Sequence, residues 1–109
     1  MIDELIPNIL ASLNLPIKFQ TYGGVATTYI TFFTYLKQGE SFSEDTEELS
    51  GNYIQVDIWS KERNVTLYEQ VKTLIIEAQF KRTDEVELYE SDTKIYHKGI
   101  RFFYSEEII

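Results

Sequence analysis

The stretch "YIQVDIWSKERNVTLYEQVKTL", residues 53–74, changes its hydrophobic period near its middle, and this change decides the fold class. Its first eight residues alternate as in a strand, so that Ile54, Val56 and Ile58 share one apolar face. From Thr66 onward the apolar residues recur at the spacing of a helix. The stretch therefore predicts a strand that leads into an amphipathic helix packed on its apolar face.

Two helices are predicted along the chain. The first is expected over 3–13, where one apolar face is followed by "NLP", because the residue before a proline is pushed out of the α region. The second is expected over 66–80, with Thr66 and Glu69 at the spacing of a capping box. Its predicted buried stripe consists of Leu67, Val71, Leu74, Ile75 and Ala78.

Strands are predicted on both sides of this central unit. Residues 17–22 and 25–36 are rich in β-branched and aromatic side chains, and Gly23 and Gly24 between them favour a tight hairpin turn. A second hairpin is predicted from strands over 86–90 and 94–104, with a turn at Ser91 and Asp92.

The order of these elements is α-β-β-loop-β-α-β-β in a chain of 109 residues. This order predicts a single α+β domain over 1–109, in which two helices cover one face of a mainly antiparallel or mixed sheet of about five strands.

Residues 37–52 break every period. They predict a long, flexible acidic loop, since segments of this length without a pattern are often functional or disordered. The loop is expected to present five carboxylates and no base among them: Glu40, Glu44, Asp45, Glu47 and Glu48.

Composition excludes several classes of function. The chain has no cysteine, which excludes disulfides and thiolate metal sites, and its net charge of −8 disfavours sequence-specific nucleic-acid binding. Neither a signal peptide nor an apolar run long enough to span a membrane is evident, so we expect a soluble, unsecreted protein without a membrane partner.

The sequence offers no catalytic or metal constellation. His97 is the single histidine, and no nucleophile is nominated beside it. The acidic residues near the last hairpin lack the ordered spacing of a calcium loop, and Gly23 and Gly24 lack the lysine and helix of a phosphate-binding loop. We therefore expect no enzymatic activity, no cofactor and no metal.

The second face of the predicted sheet is the most informative feature. Two helices can cover one face only, yet the other face carries aromatic and polar side chains together, which is the composition of a protein interface. Alternatively, Phe42 and Leu49 of the predicted loop fold back over it. The candidate interface residues are Tyr53, Asp57, Trp59, Arg101, Phe42 and Leu49.

The segments "NYIQVDIWSKE" (52–62), "LYEQVKTLIIEAQFKR" (67–82) and "LYESDTKIYHKGIRFFY" (88–104) resemble the tail-completion, or tail-terminator, proteins of long-tailed phages and prophages of Gram-positive bacteria. The resemblance implies a structural protein of the virion neck, made in the bacterial cytoplasm. It implies a homohexameric ring, formed from subunits that are monomeric when free, on the head-proximal end of the tail tube. The implied partners are the major tail-tube protein and a head-completion or connector protein, and the long loop is implied to be flexible in the free subunit and to order against the tube. The net negative charge adds a separate hypothesis, that the carboxylates of this loop line the ring and let DNA slide through.

Two alternatives stay open at this point. One is a head-completion protein that plugs the connector of the same particle. A small enzyme or ligand-binding domain unconnected with phage is the other.

Overall fold

The computed structural model describes residues 2–43 and 46–107, with the backbone alone at 37–43, 46–50 and 106–107. It confirms the α+β class. A mixed five-stranded sheet of order β1-β2-β3-β5-β4 carries two helices, and only β1 and β2 run parallel. The elements are α1 (Ile2–Ile9), a 3-10 turn (Ala11–Leu13), β1 (Ile17–Phe19), β2 (Tyr29–Ser43), β3 (Thr46–Ser60), α2 (Val65–Glu77), β4 (Lys81–Glu90) and β5 (Ile95–Glu107).

The buried core lies between the helices and one face of the sheet, which we call the helix face. Ile54, Val56 and Ile58 of β3 are fully buried there, as their alternation predicts. The other buried core residues lie in the neighbouring strands, on the apolar faces of both helices or just after the helices: Ile6, Leu10, Ile30, Phe32, Leu67, Tyr68, Val71, Ile75, Phe80, Ile100 and Phe102.

Helix α2 starts and ends earlier than the sequence predicts. Its N-cap is Asn64, whose side chain accepts a hydrogen bond from the backbone N–H of Leu67 at 3.0 Å, so the predicted capping box at Thr66 is wrong. At the other end the chain turns through Gln79, which has a φ of 74°. Strand β4 therefore begins at Lys81, five residues before its predicted start.

The predicted Gly23 and Gly24 hairpin is wrong, because β1 runs parallel to β2. A parallel pair needs a connection that carries the chain back to the same end of the sheet, and residues 20–28 provide it. Neither glycine has positive φ. Instead, Tyr22 folds back so that its hydroxyl accepts the backbone N–H of Ala26 at 2.9 Å, and a Cβ at Gly24 would overlap that hydroxyl.

The segment predicted as a loop, residues 37–52, is strand wherever the structure describes it. Residues 37–43 continue β2 and 46–52 begin β3, whereas Glu44 and Asp45 lie outside the described residues. Three register irregularities interrupt the pairing of β2 with β3, at Thr34/Leu36, Gly39/Ser41 and Ser41/Phe42. Each extra residue shifts the side-chain alternation, which explains why the sequence shows no strand period here. The predicted flexibility stays a prediction.

In the part of the chain that the structure describes, neither helix is long and apolar enough to cross a membrane.

An ion-pair cluster on the helix side joins α2 to the far edge of the sheet. The carboxylate of Glu85 in β4 lies 2.8 Å from the ammonium group of Lys98, 3.1 Å from that of Lys72 and 3.3 Å from the guanidinium of Arg82. Hydrogen bonds from Lys98 and then Lys72 lower the pKa of Glu85 from 4.5 to about 2. Ionised Glu85 therefore holds the edge strand β4 against the helix layer.

We expect Glu85→Gln to destabilise the fold by about 1–3 kcal/mol at pH 7, and by much less near pH 2. The folded pKa lies below the unfolded one, so this stabilisation is complete above pH 4.5 and is lost as the pH falls toward 2. Urea unfolding of both proteins across this pH range measures the difference. Exposed Glu62, changed to Gln, is the matched control, and a constant gap between wild type and Glu85→Gln would contradict the prediction.

Candidate functional site

The face of the sheet opposite the helices is the candidate functional site, and we call it the open face. Every strand residue of the buried core points to the helix face. Among the described residues, no helix covers the open face. Strand register places these residues on it: Tyr29, Thr31 and Phe33 of β2, Tyr53, Gln55, Asp57 and Trp59 of β3, His97, Gly99, Arg101 and Phe103 of β5, and Asp84, Val86 and Leu88 of β4.

A row of stacked rings crosses the open face at one end. The indole of Trp59 stacks on the imidazole of His97 with centroids 3.9 Å apart, and on the ring of Tyr29 at 6.1 Å. Tyr22, from the connection before β2, extends the row with its ring 4.6 Å from Tyr29. Leu88 continues the row onto β4 as the cross-strand neighbour of His97. These contacts hold a long, partly apolar ridge in one conformation.

A second aromatic row lies further along the same strands. The ring of Tyr53 sits between those of Phe103, at 4.9 Å, and Tyr35, at 6.1 Å. The guanidinium of Arg101 lies over the ring of Tyr35 at 4.6 Å, a cation–π distance. Tyr and Arg are enriched in the parts of interfaces that contribute most to binding.

A polar network fills the space between the two rows. Asp57 is only 4% exposed, and its Oδ1 accepts from Gln55 at 2.7 Å and lies 2.6 Å from Nε2 of His97. Nε of Arg101 donates to Oε1 of Gln55 at 3.0 Å, and the indole N–H of Trp59 donates to the Thr31 hydroxyl at 3.0 Å. These hydrogen bonds hold the aromatic and charged side chains of the open face in place within a single subunit.

Gly99 makes this network possible. It is the cross-strand neighbour of Asp57 in the middle of β5, and a Cβ built on it would lie 3.1 Å from Oδ1 of Asp57 and 3.4 Å from Nε2 of Gln55. The missing side chain also leaves a cleft of about 240 Å³ beside the network. Its lining consists of Gln55, Asp84, Glu85, Val86, Leu88, His97, Gly99 and Arg101.

We expect Gly99→Val to cost about 1–3 kcal/mol of folding stability, since overpacking forces side chains off their preferred positions. Asp57 cannot move away without losing His97 or Gln55. Urea unfolding measures the cost, and the imidazole NMR signals of His97 report whether its contact with Asp57 and Trp59 survives. Gly23→Ala is the control, because a Cβ there meets nothing within 4 Å. Equal stability of the two variants would show that the network tolerates a side chain at Gly99.

The structure brings together four of the six predicted interface residues. Tyr53, Asp57, Trp59 and Arg101 all lie on the open face, although Asp57 is so buried that a partner can touch little of it. The other two pair in the long β2–β3 hairpin, where Phe42 opposes Glu47 and Leu49 opposes Ser41, and their side chains lie outside the described residues.

The predicted acidic lining is described in its backbone only. Glu40 belongs to β2, and Glu47 and Glu48 belong to β3. Glu44 and Asp45 lie outside the described residues. The role of these carboxylates therefore stays a prediction from the sequence.

Sequence reasoning missed Gly99 and the part that His97 plays. A glycine in the interior of a strand often marks a close approach of another group, and this signal was present in "KGIR". His97 points Nε2 at Asp57 and lays its ring on Trp59, so both contacts orient the imidazole within the sheet. Among the residues that the structure describes, no group of three or more His, Cys, Asp or Glu side chains could hold a metal ion.

Neither known protein-family models nor curated proteins give a match to this chain.

Proposed function

We propose that this chain is a structural protein of a long-tailed phage, which caps the head-proximal end of the tail tube as a homohexameric ring and joins the tail to the head. The open face supports the proposal most strongly. It presents fixed aromatic rows and a paired arginine where a solvent-facing sheet would carry short polar side chains. Such a preorganised surface is suited to binding a protein, because little side-chain freedom is lost on contact.

A closed ring of identical subunits needs two different, mutually complementary surfaces on each copy. The open face supplies an aromatic one. The molecule measures 52 × 26 × 24 Å, and fifteen-residue strands such as β2 and β3 span about 50 Å. Among the side chains that the structure describes, the buried apolar residues of β3 run from Ile54 to Ile58. The β2–β3 hairpin continues along β3 from Ile54 back to Thr46, and we expect this part to reach a neighbour or the tube.

Charge is consistent with a conduit for DNA. A net charge of −8 repels phosphates, so an acidic lining lets DNA pass without sticking. We assign this lining to the carboxylates of 40–48. If changing them to Gln and Ser left genome ejection and packaging unchanged, this assignment would be wrong.

The test of the proposed function mixes the purified protein with isolated tail tubes and, separately, with isolated filled heads. We expect electron micrographs to show hexameric rings on one end of the tubes. Deleting the gene from the phage is expected to leave filled heads separate from tails of abnormal length. Binding to heads alone would favour the connector plug, and normal infectious particles from the deletion would reject both roles.

A ligand-binding domain is the second candidate, because a groove of about 660 Å³ lies between the 3-10 turn and α2. Its size falls in the usual range of ligand sites, and Leu13, Val65 and Leu74 give it apolar walls. A metabolite that raises the melting temperature, combined with no affinity for tubes or heads, would favour this candidate.

A further inference from the structure

The sheet ends in two different open edges. Among the strands that the structure describes, β4 is the last on one side, and none of them pairs with its outer edge over Lys81–Glu90. On the other side the short strand β1 covers β2 only at Ile30, Thr31 and Phe32. Among the described residues, no strand pairs with the outer edge of β2 beyond Phe32. Each copy therefore has one free edge at either side of the same sheet.

The backbone of β2 shows where its free edge begins. The N–H of Ile30 donates outward to Pro16, and the carbonyl of Phe32 accepts outward from Gln20. Since outward-pointing residues alternate along a strand, the N–H and carbonyl of Thr34 point the same way. No described residue bonds them from that side. The edge is thus prepared for another strand.

Apolar side chains flank both edges. Val86 and Leu88 of β4 are 48% and 50% exposed, and Tyr35 and Leu36 of β2 are also exposed. Edge strands usually protect themselves from pairing with short length, proline, or charges in place of exposed apolar groups. β4 has ten residues and no proline. Six of these residues are charged, but Val86, Leu88 and Tyr89 remain exposed among them, so the protection of this edge is incomplete.

We propose that these two edges pair with each other between copies, so that β4 of one subunit extends the sheet of the next along the outer edge of its β2. This inference rests on the proposed ring. The occupant is a second copy because the two edges differ, lie at opposite sides of one sheet, and offer complementary rows of backbone donors and acceptors. Pairing of this kind repeats head to tail, which is the geometry that closes into a ring.

Engineered disulfides test the pairing, and the absence of native cysteine makes the experiment clean. Cysteine is placed at Val86 or Leu88 together with cysteine at Phe33 or Tyr35, in four double variants. Within one copy, β4 and β2 are three strands apart, about 14 Å, which is too far for a disulfide between Cα atoms limited to about 7 Å. Any disulfide that forms therefore joins two copies.

Mild oxidation of rings assembled on tail tubes is expected to give disulfide-linked oligomers up to the hexamer in at least one double variant, seen as a ladder of bands on a non-reducing gel. Leu88→Cys combined with Thr73→Cys, on the exposed side of α2, is the control and is expected to give monomers. Leu88→Lys places a charge on the edge and is expected to prevent assembly while the monomer keeps its melting temperature.

The outcomes separate this inference from the proposed function. If rings form on tubes but no double variant gives disulfide-linked oligomers, the edge pairing is wrong and the proposed function stands. The same conclusion follows if the Leu88→Lys variant still forms rings. A cross-link from β4 to the tube protein would replace the second copy with that partner and would also overturn the inference. A ladder in the free protein, with no binding to tubes, would retain the pairing and reject the function.

Discussion

A Val56→Asp variant is expected to lack a cooperative folded state. Val56 is fully buried at the centre of β3, where its strand neighbours are Phe32 and Ile100, both also fully buried. A carboxylate at this position has no partner and no water, and the cost of burying it exceeds the few kcal/mol that hold a small domain together. Far-UV circular dichroism during thermal unfolding is the measurement.

Val25→Asp is the matched control for this variant, because Val25 is 99% exposed. It is expected to unfold at the wild-type temperature. A folded Val56→Asp protein with a sharp transition would mean that the helix layer leaves the centre of the sheet, which contradicts the described core.

Under the proposed function, Trp59→Ala is expected to remain folded and to lose most of the ability to form rings on tail tubes. Trp59 is half-buried, stacks on His97 and Tyr29, and donates to Thr31, so we expect a loss of about 1–3 kcal/mol of monomer stability. The loss of assembly is expected to be larger, since Trp at the centre of an interface commonly contributes 2 kcal/mol or more. Urea unfolding gives the first quantity, and titration of rings on tubes gives the second.

Two controls isolate the role of Trp59. Ile76→Ala removes an exposed apolar side chain from α2 and is expected to change neither quantity. Trp59→Phe keeps a ring over His97 but loses the hydrogen bond to Thr31, so it is expected to retain part of the assembly. If Trp59→Ala weakened folding and assembly by the same amount, Trp59 would act only inside the subunit.

The sequence predicted the fold where side-chain alternation and helical spacing reflect burial on one side. Ile54, Val56 and Ile58 were identified in this way, and so was most of the buried stripe of α2, although Tyr68 was missed and Leu74 and Ala78 are only partly buried. The open face could also be predicted in part, because Trp59 is out of place on a strand face exposed to water.

Other features depend on contacts that a local pattern does not contain. The glycine pair 23–24 has the composition of a hairpin turn, but the parallel pairing of β1 with β2 is decided by the return of the chain over 20–28. Bulges removed the strand period from residues 37–52. The position of Gly99 opposite Asp57 follows from the register of β5 on β3, which also brings together Asp57 and His97, 40 residues apart in the chain.

That separation between Asp57 and His97 also sets an order of folding. β2 and β3 are consecutive in the sequence and can pair early, whereas β5 must wait for a much longer loop to close, at a greater cost in chain entropy. Until then His97, Gly99 and Arg101 are absent from the sheet, and Trp59 has the ring of Tyr29 beside it but lacks the closer ring of His97. Only a copy that has finished folding presents the complete open face. We therefore expect incomplete or truncated copies to be excluded from the proposed ring without the help of another protein.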